Sequence, residues 1–186
     1  MFAFPDHPLQ SERLVLRKIC KEDLTPLHAV HSVPAVNRYI PYKTWQTKED
    51  AEAWWQRVSG RMEEGNALQF AICLAEGGLV IGSCVLFAYE EAHGRAELGY
   101  VIGQKHWGKG YAREAVQRLL GYCFENLQLR RIEARVDARN EASSGLLLRL
   151  GFRQEGCLRA WEMEGDTPVD SLLFALLIGE RNGPKC

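Results

Sequence analysis

The chain has 186 residues, a usual length for one domain, and we expect a single domain over residues 1–186. Its 23 basic and 24 acidic residues nearly cancel, so the overall charge favours neither nucleic acid nor an anionic membrane as a partner. No run approaches the roughly 20 apolar residues of a membrane helix, and the N-terminus lacks the pattern of a signal peptide. We therefore expect a soluble, cytoplasmic protein.

The first half of the chain predicts strands around one long helix. Residues 13–19 alternate between apolar and polar side chains, as a half-buried strand does. Two later apolar runs are separated by Glu76-Gly77-Gly78, which is typical of a hairpin. In chain order the predicted elements are a strand over 13–19, a short helical stretch that opens at Lys21-Glu22-Asp23, a helix from the N-cap Thr47 to Gly65, and strands over 67–75, 79–89 and 96–102.

After residue 102 the apolar pattern changes from the period of a strand to that of a helix. Apolar residues between Ala112 and Cys123 are spaced to lie along one helical face. The predicted elements are a helix from Gly110 towards Leu127, a strand over 131–137, a helix from Asn140 to about Leu150, and strands near 154–163 and 169–178. Together they predict an α/β (α+β) fold, with a mostly antiparallel mixed sheet of about seven strands and about four helices.

The six cysteines do not suggest a metal site. They stand at positions 20, 73, 84, 123, 157 and 186, without a CxxC pair or a Cys/His spacing that suits zinc. We expect reduced, unpaired thiols and no bound metal.

The segment from Glu97 to Ala115 carries the strongest functional signal, because it predicts a strand, a glycine-containing loop and a helix start. The first N–H groups of a helix lack partners inside the helix, and its dipole adds partial positive charge there, so phosphate is favoured. Gly108 and Gly110 permit close approach, and Lys105 and Lys109 add positive charge. A pyrophosphate carrier such as coenzyme A would fit, although such glycines and lysines also occur as ordinary turn and surface residues.

The loop Lys105-His-Trp-Gly-Lys-Gly110 resembles the pyrophosphate loop of the GNAT acyltransferases, Gln/Arg-x-x-Gly-x-Gly/Ala. It matches at both glycines and has lysine at the first position. The dinucleotide pattern GxGxxG is not met, because Arg113 stands where its last glycine would be. Other stretches resemble the GNAT branch that contains the bacterial ribosomal-protein N-terminal acetyltransferases, in the correct order over nearly the whole chain. They are Ser11–Arg17, Glu97–Tyr100, Trp107–Ala112, Asn140–Ser143, Leu150–Phe152 and Glu155–Leu158.

This resemblance implies a GNAT fold in which the family's fourth and fifth strands, here 96–102 and 131–137, splay apart. It also implies acetyl-CoA as co-substrate, with its pantetheine arm between those strands. The implied contacts are Tyr100, Val101 and Ile102 for the arm, Asn140 and Ser143 near the thioester, and Lys105, His106, Trp107, Gly108, Lys109, Gly110, Tyr111 and Ala112 around the pyrophosphate. Core packing explains Val101 and Ile102 as well, and Asn140 is also a suitable helix cap.

Acetyl transfer from a thioester requires a neutral amine, a polarised carbonyl and a proton for the departing thiolate. An α-amine, with a pKa of about 8, becomes neutral more easily than a lysine amine, which needs more help from a base. A thiolate, with a pKa of about 8.5, is a tolerable leaving group, so direct attack by the amine is chemically sufficient. Many GNAT enzymes donate the proton from a tyrosine, but Leu147 occupies that position here. Resemblance to the serine-specific ribosomal-protein enzyme implies Ser143 as donor with Glu162 as its partner. Glu97 is a rival base, and both glutamates are also explained as ordinary surface or ion-paired residues.

The acceptor amine cannot be read from these residues. An aromatic group could line the acceptor cleft or serve the core: Tyr39, Tyr42, Trp45, Trp54 and Trp55. An enzyme for protein N-terminal α-amines, such as those of ribosomal proteins, predicts a shallow cleft. One for small amines, such as antibiotics, amino acids or polyamines, predicts a closed acidic pocket, and a non-catalytic acetyl-CoA-binding module predicts binding without turnover. The apolar segment 172–178 is a candidate contact in a homodimer.

Overall fold

The computed structural model describes residues 2–40 and 42–180, and its centre is one mixed sheet of eight strands. The strands are β1 (Leu9–Gln10), β2 (Leu14–Lys18), β3 (Ala67–Leu74), β4 (Val80–Glu90), β5 (Arg95–Ile102), β6 (Arg131–Asp137), β7 (Arg153–Glu164) and β8 (Thr167–Leu177). Their order across the sheet is β1-β2-β3-β4-β5-β6-β8-β7. Only the β5–β6 pair is parallel, and every other neighbouring pair of these strands is antiparallel.

The described residues also form five α-helices. These are α1 (Leu24–His31), α2 (Pro34–Asn37), α3 (Lys48–Glu63), α4 (Tyr111–Glu125) and α5 (Glu141–Arg149). Thr47 caps α3 as predicted, and its amide donates to the Asp50 carboxylate at 2.9 Å. The mixed α/β fold is confirmed. The strand and helix that the sequence did not predict, β1 and α2, have two and four residues, too few to produce a periodic pattern.

The helices cover the two faces of the sheet differently. On one face, α4 and α5 bury the main core, which includes Leu14, Phe70 and Leu119. On the opposite face, α1 and α3 pack over β2 to β4 and bury a second core that includes Leu27 and Trp54. The same face of β5, β6 and β8 borders a cavity instead. The part of this face that α1 and α3 leave uncovered therefore lies over β5, β6 and β8, next to the centre of the sheet.

β5 and β6 separate along their length. They pair only between Arg95–Glu97 and Arg131–Glu133. Beyond that point β5 continues to pair with β4 as far as Ile102, while β6 pairs with β8 as far as Asp137. This confirms the predicted splay, and a gap opens between residues 98–102 and 134–137.

None of the helices in the described residues is long and apolar enough to cross a membrane. Free thiols occur at Cys20, Cys73, Cys84, Cys123 and Cys157. Cys186 and the two ends of the predicted domain lie outside the described residues, as does Pro41.

Candidate active site

The loop from β5 to α4 begins with a 3₁₀ turn at Gln104–His106. The amides of His106 and Trp107 donate to the carbonyls of Gly103 and Gln104, at 2.9 and 3.1 Å. The indole Nε1 of Trp107 donates to the Ile102 carbonyl at 2.7 Å and ties the turn to the end of β5. The amides of His106 and Trp107 are therefore already engaged, unlike those that follow.

A run of free backbone amides extends from Gly108 to Arg113. None of them donates to an atom of the described residues, since Glu114 is the first to make a helical hydrogen bond, to Gly110. Gly108 and Gly110 have φ angles of +71° and +82°, which glycine adopts without strain. A Cβ placed on Gly108 would meet nothing within 4 Å, so the outer side of the loop is open. This open set of amides at a helix N-terminus fits a pyrophosphate.

The charges around this loop also favour an anion. Lys105 and Lys109 are exposed, and neither forms an ion pair with a carboxylate of the described residues. Burial, followed by the charges of Lys109 and Lys105, lowers the pKa of His106. The loop therefore holds two cationic side chains that are free to meet a phosphate.

Arg13, which directly precedes β2, holds the loop, and the sequence pattern did not predict this contact. Its Nη1 donates to the Lys109 carbonyl at 3.0 Å, and its Nε donates to Glu114 at 2.7 Å. The same carboxylate accepts from the Arg13 amide at 2.7 Å and from the Ser11 hydroxyl at 2.8 Å. The guanidinium carbon also lies 4.8 Å from the ring centroid of Tyr111. Arg13 and Glu114 are 101 residues apart, so no local pattern could have linked them.

Alternate residues of β5 direct their backbone groups into the gap. The Gly103 amide donates to Ile81 of β4 at 2.8 Å, and a Cβ on Gly82 would collide with the Val101 carbonyl oxygen. Gly103 and Val101 thus face β4. Because neighbouring strand residues direct their N–H and C=O groups to opposite edges, Tyr100 and Ile102 face the gap. Of the three residues predicted to contact the pantetheine arm, these two direct backbone groups into the gap.

Asn140 and Ser143 lie at the start of α5. Asn140 caps the helix, since its Oδ1 accepts from the Ser143 amide at 3.1 Å. Its Nδ2 donates to no atom of the described residues, so it can serve as cap and ligand donor together. The Ser143 Oγ lies 2.7 Å from the Tyr100 Oη, which joins α5 to β5. Leu147 is fully buried in the main core.

Glu97 lies where β5 and β6 begin to separate, and it is paired with an arginine. Its side chain accepts from Arg135 Nε at 3.1 and 3.0 Å, and also from Arg135 Nη2. Glu97 is only 6% exposed. Hydrogen bonding to Glu97 raises the pKa of Arg135, which keeps the guanidinium charged. This matches the ordinary ion-pair explanation of Glu97.

Glu162 is half-exposed on β7, opposite Val169 of β8. Its charge contributes to the raised pKa of Arg135, so it lies near the Glu97 pair. No hydrogen bond joins it to Ser143 within the described part of the chain. The structure thus brings Ser143 to Tyr100 and brings Glu162 towards Arg135.

A cavity of about 240 Å³ opens over the Glu97–Arg135 pair, on the face opposite α4. Its charged lining also includes Arg95, which bonds to Glu90 at 2.5 Å and to Glu133 at 3.3 Å. Pockets that enclose a small molecule usually measure roughly 300–1,000 Å³. This cavity is smaller than that range, and its carboxylates are paired with arginines.

The aromatic residues between positions 39 and 55 do not all lie in the core. Trp45 and Trp54 are buried in the second core, where Trp45 stacks on His31 at 4.5 Å. Tyr39 instead lies 5.8 Å from the guanidinium of Arg139, which bonds to Glu164 at 2.7 Å in the β7–β8 hairpin. Of this group, Tyr39 therefore lies beside the loops at the end of β6. No cluster of metal-binding side chains occurs among residues 2–40 and 42–180.

The acetyltransferase (GNAT) domain family matches residues 13–153 of the chain. The chain belongs to the GNAT acetyltransferase family. It is 40% identical over 175 residues to an uncharacterized N-acetyltransferase, p20, of Bacillus licheniformis, over 94% of this chain and 98% of that protein. It is 30% identical over 168 residues to the ribosomal-protein-serine acetyltransferase of Escherichia coli, over 82% and 92%. A GNAT-family acetyltransferase structure from Bacillus anthracis superimposes with a TM-score of 0.81 and 29% identity, over 91% and 98%.

Family membership confirms the resemblance to GNAT acyltransferases that the loop Lys105–Gly110 indicated. This GNAT protein is an acetyl-CoA-dependent N-acetyltransferase, and acetyl-CoA is its co-substrate. Within the site, the free amides from Gly108 to Arg113 suit the pyrophosphate, and the gap edge of β5 suits an extended arm.

Proposed function

We propose that this GNAT acetyltransferase acetylates the N-terminal α-amine of a protein, such as a ribosomal protein, in the cytoplasm. The observation that carries this proposal is the shallow cavity over Glu97 and Arg135. Its volume of about 240 Å³ is too small to enclose a drug-sized molecule. The outer edge of β7 is unpaired in the described sheet, which leaves room for an extended acceptor peptide near this cavity. The relationship to the E. coli ribosomal-protein-serine acetyltransferase supports the same acceptor class.

Binding of acetyl-CoA would use two parts of the site. The amides from Gly108 to Arg113, with Lys105 and Lys109, would hold the pyrophosphate, and His106, Trp107, Tyr111 and Ala112 would border it. The gap-facing backbone of Tyr100 and Ile102 and the free Nδ2 of Asn140 would bond to the pantetheine arm. The Ile102 carbonyl already accepts from Trp107, so its amide is the group left for the ligand.

In the chemical step, the neutral amine attacks the acetyl carbonyl and forms the new C–N bond. A backbone N–H in the gap polarises the carbonyl and stabilises the developing oxyanion. As the C–S bond breaks, the sulfur takes the bonding electrons and receives the hydroxyl proton of Ser143. The extra proton on the nitrogen passes to a base, and Ser143 regains a proton from solvent.

Glu162 is the candidate base that has a free carboxylate. Glu97 has two oxygens held by Arg135 and little exposure, so it accepts a proton only if that pair opens. Glu162 accepts no hydrogen bond from the described residues and is half-exposed. A water-mediated transfer to Glu162 therefore requires less rearrangement.

The acceptor is tested by incubating the protein and acetyl-CoA with peptides that begin with serine, alanine or methionine, and with polyamines and aminoglycosides. Coenzyme A is quantified by chromatography, because the protein's own thiols would react with a thiol reagent. We expect turnover on peptides with a free N-terminus and none on N-formylated peptides of the same lysine-containing sequence. Turnover on small amines alone would contradict the proposal, and binding without turnover would indicate a non-catalytic module.

A further inference from the structure

The side chain of Tyr100 lies beside Ser143, the proposed proton donor. It lies in the splayed part of β5, and its ring packs against the main core on the α4 side of the sheet. Its Oη lies 2.7 Å from the Ser143 Oγ. Neither hydroxyl has another hydrogen-bond partner among the described residues. Within the described residues, the two hydroxyls therefore form hydrogen bonds only with each other, and the charge of Arg149 also acts on Tyr100.

The pair has two hydroxyl protons and one hydrogen bond between them. Each hydroxyl can donate once, so one proton occupies the bond and the other remains available. If Tyr100 donates, the available proton belongs to Ser143. Burial raises the pKa of Tyr100 despite the opposing effect of the Ser143 hydrogen bond, so the phenol keeps its proton at neutral pH.

The backbone of Ser143 is held as well. Its amide donates to Asn140 Oδ1 at 3.1 Å in the first turn of α5. This fixes the serine Cα, but it leaves the hydroxyl free to rotate about the Cα–Cβ and Cβ–Oγ bonds. The hydrogen bond from Tyr100 removes that rotational freedom, because it fixes the position of the Oγ and uses one of the oxygen's lone pairs as acceptor.

We propose that Tyr100 is a positioning residue for acetyl transfer, which donates to Ser143 Oγ and directs the Ser143 proton towards the departing coenzyme A sulfur. When the C–S bond breaks, that proton moves to sulfur, and Ser143 regains one from solvent while Tyr100 keeps its own. This inference rests on the proposed role of Ser143 but not on the identity of the acceptor. A phenol from β5 thereby supports the departing sulfur in a chain whose α5 carries the buried Leu147.

A double-mutant cycle tests the inference, with kcat and the KM for acetyl-CoA measured on the best amine. We expect Tyr100→Phe to lower kcat about tenfold, as the loss of one hydrogen bond does, with the KM for acetyl-CoA nearly unchanged. Ser143→Ala should lower kcat roughly a hundredfold. Because Tyr100 acts through Ser143, the double variant should be no slower than Ser143→Ala alone.

Tyr122→Phe is the matched control. It removes the same hydroxyl from a tyrosine of α4 that bonds to the Ala3 carbonyl, away from the gap, and it should leave kcat unchanged. Thermal unfolding of each variant shows that it is folded. Unchanged kcat in Tyr100→Phe, or independent multiplication of the two effects, would overturn the inference. Turnover on small amines alone would overturn only the N-terminal acceptor, whereas no turnover on any amine would overturn both proposals.

Discussion

Glu97 and Glu162 carry the same carboxylate in two different surroundings. Arg135 occupies both oxygens of Glu97, which is 6% exposed at the start of the gap. A buried charge with such a partner contributes mainly to the folded structure, because removing either partner leaves the other unpaired. Glu162 has no such partner and remains accessible to water. We therefore propose that Glu97 serves the stability of the fold and that Glu162 serves the chemistry.

Replacing each glutamate by glutamine separates these roles. Glu97→Gln should lower the free energy of unfolding by about 1–3 kcal/mol, because Arg135 loses its charged partner, and should change kcat only a few fold. Glu162→Gln should leave unfolding within about 0.5 kcal/mol and lower kcat at least tenfold at pH 7. Urea unfolding and steady-state kinetics measure the two effects. The reverse pattern would make Glu97 the base.

The N-terminal turn of α4 depends on a strand far away in sequence. Arg13, directly before β2, donates to the Lys109 carbonyl and to Glu114, so it restrains both the loop and the first helical turn. Burial alone would raise the pKa of Glu114, but hydrogen bonds from the Arg13 amide, the Ser11 hydroxyl and the Arg13 guanidinium lower it. Glu114 is therefore ionised and remains an acceptor at neutral pH. This restraint holds the loop whose free amides we propose bind the pyrophosphate.

Loss of that restraint should weaken binding of acetyl-CoA. We expect Arg13→Gln to raise the dissociation constant for acetyl-CoA about three- to tenfold, since one or two hydrogen bonds no longer order the loop. kcat at saturating acetyl-CoA should change little. Isothermal calorimetry measures the affinity, and Arg118→Gln is the control, because Arg118 of α4 bonds to the Gln10 carbonyl instead. Equal affinities of Arg13→Gln and the control would show that Arg13 does not order the loop.

At the scale of the whole molecule, the second core contains a buried histidine. His31 is fully buried and stacked on Trp45, and its Nδ1 lies 3.0 Å from the Asn37 Oδ1. Its Nε2 has no hydrogen-bond partner within the described part of the chain. Burial lowers the pKa of His31, so the folded protein holds it in the neutral form.

This histidine should make stability depend on pH. Below the ordinary histidine pKa of 6.5 the unfolded chain binds a proton that the folded chain does not. The free energy of unfolding therefore decreases as the pH decreases. The contribution is fully present above that value and is lost as the pH falls towards the folded-state pKa. Urea unfolding between pH 8 and pH 5 measures the slope.

His31→Gln should be less stable than the wild type at pH 8 but should lose less stability on acidification. His93→Gln, which changes an exposed histidine, is the control and should keep the wild-type slope. If His31→Gln and the wild type lost stability in parallel, the slope would have another origin.

Features set by near neighbours in the chain could be predicted from the sequence. The period of the apolar residues located α4 and α5, and Gly108 and Gly110 marked a loop whose amides remain free. The ordered motifs identified the family, and with it the splayed strands. These signals are local, because helix periodicity and positive φ angles are properties of a few consecutive residues.

Only the tertiary structure decided which side chains meet. Tyr100 and Ser143 are 43 residues apart, Glu97 and Arg135 are 38 apart, and Arg13 and Glu114 are 101 apart. It also placed Trp45 and Trp54 in the core, although their pattern suited a cleft equally well. A local pattern reports which face of an element is buried, whereas contact between two distant side chains depends on strand register and helix packing. The sequence alone therefore determined the family and the glycine-containing loop with its free amides, and the assembled sheet determined the partners of the residues around that loop.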